Sequence, residues 1–153
     1  MRTFMDTSLT VTSPAFGNEA DIPSKYTCEG QNVNPEITIK DVPEKTQSLA
    51  LIMDDPDAPT GTFDHWIMWN IPANTKTIDM NSHPGTQGKN GKGENKYTGP
   101  CPPTGKHRYY FKVYALDKKL SLAEGSTKAE LENAMQGHIL ASGQLMGKYE
   151  KNK

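Results

Sequence analysis

The sequence predicts a mainly β protein, an antiparallel β-sandwich with a few short helices, most of them near the C-terminal end. Short runs of alternating apolar and polar residues recur along most of the chain, separated by turns that contain Pro or Gly. This punctuation favours an antiparallel sandwich over alternating βα units. Helical periodicity, by contrast, is present only after Thr127.

Five runs are predicted strands because each is short, rich in apolar residues and bounded by turn signals. In chain order they are Leu9–Ser13, Glu36–Lys40, Ser48–Asp54, His65–Ile71 and His107–Leu116. The long, polar and Gly-containing stretch Asn81–Gly99 lies between the last two. A loop of that length in a compact domain is typical of a functional rim.

The last of these strands has the clearest alternation. One face is predicted to carry His107, Tyr109, Phe111, Val113 and Ala115, and the other Arg108, Tyr110, Lys112, Tyr114 and Leu116. Because both faces carry aromatic side chains, we expect this strand to lie inside a sheet rather than at its edge. The same alternation predicts that His65 shares a face with Ile67, Trp69 and Ile71.

The helical segment near the C-terminus begins with a capping box. Thr127 and Glu130 have the Thr-x-x-Glu spacing, and apolar residues follow at helical intervals. Gly137 is the predicted stop, and Ile139–Met146 is expected to form a second short helix.

Bulk properties narrow the class of protein. With 153 residues we expect one domain spanning 1–153. The net charge of -1 gives no electrostatic reason to expect nucleic acid or an anionic membrane surface as a partner. No run approaches the roughly 18 apolar residues of a membrane span, so no stable membrane insertion is expected. Because Met1–Thr12 contains no apolar signal segment, we expect a cytoplasmic protein, or a periplasmic or secreted one that is already processed.

The strongest functional signal is an acidic corner directly after the third predicted strand. Its sequence, Asp54-Asp55-Pro56-Asp57-Ala58-Pro59, combines three carboxylates with two prolines that stiffen the turn. Carboxylates placed so close repel one another and are costly to desolvate, so the segment is a poor choice for stability alone. A binding-site corner and a plain polar turn both fit this pattern.

Two histidines at strand starts can converge on that corner. If their strands are neighbours, His65 and His107 meet Asp55 and Asp57, and three chemistries become possible. A metal site lacks an HxH or HxxxH pair to orient it, and hydrolysis lacks a Gly-x-Ser-x-Gly elbow. The third possibility is a polar pocket that binds an anion through His, a Tyr hydroxyl and backbone N–H groups.

The two cysteines, Cys28 and Cys101, do not have the spacing of a zinc or redox motif. They are either two unrelated thiols or one long-range disulfide, and the residues alone leave both open.

Ordered motifs over nearly the whole chain resemble the phosphatidylethanolamine-binding protein family, in particular its bacterial and archaeal branch of Raf-kinase-inhibitor-like proteins. The matching segments are Tyr26–Gly30, Asn34-Pro35, Asp55–Pro59, Asp64–Trp66, Gly99–Pro103, Gly105–Tyr109 and Gly137–Leu140. The resemblance implies a β-sandwich of two antiparallel sheets, with a small pocket for phosphate-like or carboxylate anions at one end. It also places both cysteines beside that pocket, which is compatible with a disulfide.

Carried over by position, the resemblance implies one set of site residues. Asp55 and Asp57 would be the pocket acids, His65 and His107 would flank the anion, and Tyr109 would present its hydroxyl. Pro59 would form a wall, while Gly99 and Pro100 would form the opposite lip, with the Gly99 N–H offered to the ligand. Arg108 falls on the other strand face and is expected to make a structural ion pair instead. No cofactor or metal is expected.

The function that the resemblance implies is non-enzymatic binding of a small anion or phosphorylated ligand, with modulation of a protein kinase or another signalling partner. Two alternatives stay open: an inhibitor of serine proteases that presents the Pro-rich loop Gly99–Thr104, and a small hydrolase that uses Asp, His and water. If a His must be protonated, anion binding should weaken as pH rises through ~6–7. Monomer and homodimer are equally compatible with the sequence.

Overall fold

The computed structural model describes residues 8–151. Within these residues the fold consists of two antiparallel sheets, as the sequence predicts, and one α-helix. In chain order the elements are β1 Thr10–Thr12, a 3-10 turn at Ser24–Tyr26, β2 Ile37–Lys40, β3 Ser48–Asp55, β4 Phe63–Pro72, β5 Thr77–Ile78, β6 Thr86–Gln87, β7 Lys106–Leu116, α1 Lys128–Met135 and β8 Ile139–Glu150. One sheet has the strand order β1-β2-β5 and the other β6-β4-β3-β7-β8.

The hydrophobic core lies between the two sheets, and a second apolar layer lies under the helix. Inward residues of β1, β2 and β5 pack against those of the five-stranded sheet, including Met53 and Phe111. On the outer face of that sheet, Leu131 and Met135 of α1 pack with Trp69. Strand β3 is covered on both sides, and all eight of its residues are buried. This explains why its sequence is nearly continuous in apolar residues until the acidic corner begins.

Strand β7 matches its prediction in position and in face. It lies between β3 and β8, inside the five-stranded sheet. The residues from His107 to Ala115 in steps of two are buried on the side of the core, whereas Arg108 to Tyr114 in steps of two are exposed or half-buried on the outer side.

The face predicted for His65 is wrong with respect to Ile67 and Trp69, although Ile71 does share the inner side, because β4 contains two register irregularities. Asp54 pairs with Asp64 but Met53 pairs with Trp66, so His65 is an extra residue opposite β3. A bulge of this kind places two successive side chains on one face. His65 therefore points to the inner side with Trp66, while Ile67 and Trp69 pack under the helix.

The second helix predicted at Ile139–Met146 is also wrong, since these residues belong to the long strand β8. They pair with β7 from Leu116 back to Tyr110, and the rest of β8 continues the pairing to Lys106. Two glycines disguise the alternation: Gly143 lies against the backbone of Leu9, and Gly147 packs against Ile22, with no room for a Cβ at either position. The capping box at Thr127 is confirmed, and Gly137, with a positive φ of 83°, follows the helix.

The N-terminal part of the described chain covers the outer edge of β8. Ile22 N donates to Lys148 O at 2.7 Å, and Leu9 N donates to Ser142 O at 3.0 Å. These bonds satisfy backbone groups that an open edge strand would expose. Within residues 8–151 no helix has the length and apolar character needed to cross a membrane.

Candidate functional site

The ends of β3, β4 and β7 meet the loop after Thr98 around a pocket of about 320 Å³ at one end of the sandwich. Its lining consists of Asp55, Ala58, Pro59, Phe63, His65, Lys92, Thr98, Gly99, Cys101, Pro102, Pro103, His107 and Tyr109. Six of the eight residues assigned to the site from sequence therefore lie together, and Asp57 and Pro100 do not line it.

His107 is held by the first acid of the corner. Its Nδ1 lies 2.7 Å from Asp55 Oδ2, and both side chains are almost fully buried. Because a carboxylate can only accept, Nδ1 carries the hydrogen and donates it to Asp55. Asp55 thus fixes the orientation and tautomer of the imidazole. No described residue hydrogen-bonds to its other nitrogen, Nε2.

His65 is held in the same way by a backbone carbonyl. Its Nδ1 lies 2.7 Å from Thr98 O, so it too donates from Nδ1 and keeps Nε2 without a partner among the described residues. Burial lowers the pKa of His65, and the carbonyl of Thr98 and the charge of Asp55 only partly oppose this effect. His65 is therefore a neutral imidazole at neutral pH, with a lone pair on Nε2.

Tyr109 lies between the two histidines on the inner face of β7. Its ring contacts His65 edge-on at a centroid distance of 5.3 Å and lies nearly parallel to His107 at 6.4 Å. Its hydroxyl is buried and has no hydrogen-bond partner among residues 8–151. Burial, followed by the nearby charges of Asp55 and Asp57, raises the pKa of Tyr109, so the hydroxyl stays a neutral donor.

Asp57 was predicted as a pocket acid, but it binds Arg108 outside the pocket. Asp57 Oδ1 accepts from Arg108 Nη2 at 2.8 Å, and Oδ2 accepts from Arg108 Nε and the Arg108 backbone N–H at 2.9 Å. These bonds, above all those from the guanidinium, lower the pKa of Asp57 to about 2. The ion pair predicted for Arg108 is confirmed. Asp57 also donates its backbone N–H to Asp55 Oδ1 at 2.8 Å, which holds the corner in shape.

The predicted lip at Gly99 and Pro100 has a structural role. The Gly99 N–H, expected to face a ligand, donates to Asn32 Oδ1 at 2.7 Å. Any Cβ at Gly99 would lie 2.2 Å from Tyr26 O, so the close approach of two backbones explains the glycine. Pro100 is buried behind the lip and accepts from Cys28 N at 3.1 Å.

Cys28 and Cys101 form a disulfide, which answers the question that the residues left open. The bond ties the segment after the 3-10 turn to the lip, and Cys101 itself lines the pocket. It therefore holds one wall of the pocket in place across 73 residues of sequence.

Three lining residues were not foreseen from the sequence: Phe63, Thr98 and Lys92. The Phe63 ring stands edge-on to His65 at 4.9 Å. Lys92 reaches the pocket from the long loop that precedes the lip, where no motif marked it. A larger cavity of about 660 Å³ lies along β2 and residues 73–77, but no histidine lines it. No cluster of three or more metal-ligating side chains exists among the described residues.

This combination defines a class of protein: a two-sheet β-sandwich with a small pocket at one end, where two oriented histidines and a tyrosine meet. The model of the family described as phosphatidylethanolamine-binding protein matches residues 12–150. The chain belongs to this family, as its motifs indicate.

Relatives and solved structures agree with this assignment. A UPF0098 protein of Pyrococcus abyssi is 49% identical over 149 residues, which covers 91% of this chain and 84% of that protein. A UPF0098 protein of Methanothermobacter thermautotrophicus is 42% identical, covering 90% of this chain and 95% of its own. The crystal structure of CT736, a phosphatidylethanolamine-binding protein homologue of Chlamydia trachomatis, has a TM-score of 0.93 at 43% identity and covers 96% of this chain and 100% of its own. YbcL of E. coli, described as a member of the mammalian family, has a TM-score of 0.87 at 28% identity and covers 95% of this chain and 99% of its own.

Proposed function

We propose that this protein binds a small anion, of the class of phosphate and its monoesters, without catalysing a reaction on it. One observation carries the proposal: His65, His107 and Tyr109 line one pocket, and each has a polar atom that no described residue satisfies. Both rings are held through Nδ1, so the unsatisfied atoms are the two Nε2 nitrogens and the Tyr109 hydroxyl. A buried hydroxyl without a partner is costly unless a ligand or water satisfies it.

The three atoms suit an anion that still carries a proton. The Tyr109 hydroxyl donates, and His107 Nε2 donates when that ring is protonated. Neutral His65 instead offers a lone pair at Nε2, which accepts from the P–O–H group of a hydrogen phosphate. Ala58, Pro59, Phe63, Pro102 and Pro103 add an apolar wall, which excludes water and strengthens each of these hydrogen bonds.

The test is calorimetric titration of inorganic phosphate into the wild type and the double variant His65→Asn with His107→Asn. The Asn amide can take the place of Nδ1 and keep the bonds to Thr98 O and Asp55, whereas Nε2 is removed. We expect phosphate binding to weaken about 10- to 100-fold, because two hydrogen bonds at about 1 kcal/mol each are lost. Urea denaturation of both proteins checks that the variant stays folded.

His138→Asn is the matched control, because His138 pairs with Asp117 on the surface away from the pocket. It should bind phosphate like the wild type. Wild-type protein that does not bind phosphate, or a folded double variant that binds it equally well, would contradict the proposal.

Burial of His65 changes the pH dependence that the sequence predicts for its protonation. Because burial lowers the pKa of His65, its protonation strengthens anion binding only below the usual His range, and that gain is lost as pH rises through the lowered pKa. Sulfate is a suitable probe, because its charge is constant over this range and any change in affinity reports on the protein. A sulfate affinity that does not fall between pH ~5 and pH ~7 would contradict the contribution of His protonation.

A hydrolase is the second candidate, favoured by the buried Asp55–His107 pair. A carboxylate that holds Nδ1 leaves Nε2 to act as a general base for water. Turnover of p-nitrophenyl phosphate and p-nitrophenyl acetate tests this, and we expect none above the rate of the double Asn variant. Inhibition of a serine protease through the Pro-rich lip and modulation of a kinase stay predictions, to be checked with protease and kinase panels.

A further inference from the structure

The pocket's own charges do not favour an anion. Asp55 and His107 form a pair whose net charge is negative when the ring is neutral and zero when it is protonated. His65 is neutral at neutral pH because burial lowers its pKa. Arg108 is neutralised by Asp57 and does not line the pocket. Any attraction for a doubly charged anion must therefore come from another group.

Lys92 is the one other charged residue in the lining of the pocket among residues 8–151. Its side chain is exposed, and it forms none of the ion pairs found in the described chain. The lysines on the outer face of the sheet differ in this respect, since Lys112 and Lys128 both pair with Asp54. The charge of Lys92 is thus not compensated by a carboxylate.

The loop that carries Lys92 is held rigidly by Asn90. The Asn90 side chain is buried, and its Oδ1 accepts from Lys92 N at 2.8 Å and from Glu94 N at 3.1 Å. Its Nδ2 donates to Lys96 O at 2.8 Å. One amide therefore joins both sides of the turn, a typical use of Asn in a tight loop.

The same loop is fixed to the pocket wall. Gly91 N donates to Asp64 O at 2.8 Å, next to His65 in β4. The Gly91 backbone lies so close to the Phe63 ring that a Cβ would be 2.4 Å from Cε1. Because Phe63 lines the pocket and contacts His65, the loop places the Lys92 backbone at a fixed position beside the site.

We propose that Lys92 is a specificity-determining residue, the cation that makes this pocket prefer doubly charged anions, such as phosphate or a phosphate monoester, over singly charged carboxylates. The inference rests on the proposed anion-binding function. A Coulomb interaction is proportional to the charge of the ligand. Lys92 therefore contributes about twice as much free energy to a dianion as to a monoanion.

The experiment compares inorganic phosphate and acetate at pH 8, where phosphate is largely the dianion. Both are titrated by calorimetry into the wild type and into Lys92→Gln, Lys92→Arg and Lys89→Gln. Lys89 is the matched control because it is exposed on the same loop but does not line the pocket. We expect Lys92→Gln to weaken phosphate binding about tenfold and acetate binding about threefold, so the preference for phosphate falls. Lys92→Arg should restore it, and Lys89→Gln should behave like the wild type.

The outcomes separate this inference from the proposed function. If the wild type binds phosphate and the His65→Asn, His107→Asn variant does not, the proposed function stands. Equal affinities in Lys92→Gln and Lys89→Gln would then overturn the role of Lys92. A Lys92→Gln variant that loses the same factor for phosphate and acetate would overturn it as well, because charge would not be what is recognised. If the wild type binds neither anion, both proposals fail.

Discussion

Polar side chains on the two faces of β3 and β7 differ in how completely they are paired, although they are neighbours in sequence. Asp54 and Asp55 are consecutive, as are His107 and Arg108, and Tyr109 is followed by Tyr110. In each pair the member on the outer face, namely Asp54, Arg108 or Tyr110, has a partner, whereas members on the inner face leave polar atoms unpaired. Since successive side chains of a strand point to opposite sides, one short stretch of sequence supplies both environments.

On the outer face the charged side chains form ion pairs with one another. Asp54 Oδ2 lies 3.2 Å from Lys112 Nζ and 3.4 Å from Lys128 Nζ, and Lys128 also reaches Asp64 at 3.1 Å. Arg108 is engaged by Asp57 through two nitrogens. These pairs link β3, β4, β7 and the start of α1.

On the inner face the histidines and the tyrosine are fixed in position, but each keeps a polar atom without a partner among the described residues. His107 uses one nitrogen on Asp55, His65 uses one on Thr98, and the Tyr109 hydroxyl has no described partner. This difference separates polar residues that stabilise the fold from those that are candidates for binding. Complete pairing is typical of a structural role, whereas the unpaired atoms that line the pocket are those proposed to bind the anion.

The largest effect on stability is expected on the outer face, from Asp54→Asn. Asp54 is buried, and its loss leaves Lys112 and Lys128 facing an amide instead of a carboxylate. We expect the free energy of unfolding to fall by about 2 kcal/mol, with phosphate affinity unchanged. Urea denaturation with the disulfide intact measures the first, and calorimetry the second.

Asp117→Asn is the control, since Asp117 forms an exposed pair with His138 and should cost less than about 0.5 kcal/mol. An Asp54→Asn variant as stable as this control would show that the outer network does not stabilise the fold.

A smaller effect of opposite sign is expected on the inner face, from Tyr109→Phe. Removal of a buried hydroxyl without a partner should raise the free energy of unfolding by about 1 kcal/mol. It should also weaken phosphate binding about three- to tenfold, because one donor to the anion is lost. Stability and binding would then change in opposite directions, as is common at functional sites.

Tyr110→Phe is the matched control on the outer face, where its hydroxyl makes only a long contact of 3.4 Å with Arg108 Nη1. It should leave phosphate affinity unchanged. If Tyr109→Phe lowers stability, the hydroxyl has a hydrogen-bond partner in the unliganded protein. The inner face would then resemble the outer face in its pairing.

The smallest effect is expected from Asp57→Asn and depends on pH. The pKa of Asp57 falls from 3.8 to about 2 in the folded protein, so its contribution is complete above pH ~4 and is lost as pH falls towards 2. Because the pair with Arg108 is partly exposed, we expect a loss of about 0.5–1 kcal/mol at pH 7. The difference from the wild type should shrink as urea denaturation is repeated from pH ~5 down to pH ~2.

Asp21→Asn, in an exposed pair with Lys106, provides the comparison and should cost less stability at pH 7 than Asp57→Asn. A difference between the wild type and Asp57→Asn that stays constant over this range would contradict the ion pair with Arg108.

Much of the architecture was predictable because it follows from local patterns. The alternation in β7 predicted its faces and its central position, and the capping box at Thr127 predicted the start of α1. The Arg108 ion pair followed from its place on the other face of the strand. In each case neighbours in sequence carry the whole signal.

The errors have a common cause in contacts between distant segments. The bulge at His65 depends on how β4 pairs with β3, and the strand character of β8 was hidden by glycines that serve contacts with Leu9 and Ile22. The Gly99 N–H donates to the side chain of Asn32, a residue 67 positions away in sequence. None of these partners can be inferred from the local sequence.

By itself, the sequence determined the mainly β fold, the acidic corner and the set of residue types that the pocket contains. Alternation, turn residues and ordered motifs are short-range properties, and the chain displays them directly. Only the tertiary structure decided which atoms remain available. It assigned Asp55 to His107 and Asp57 to Arg108, turned His65 inward, and brought Lys92 to the pocket. Hydrogen-bond and charge pairing depends on distances across the fold, and these exist only once the strands have paired.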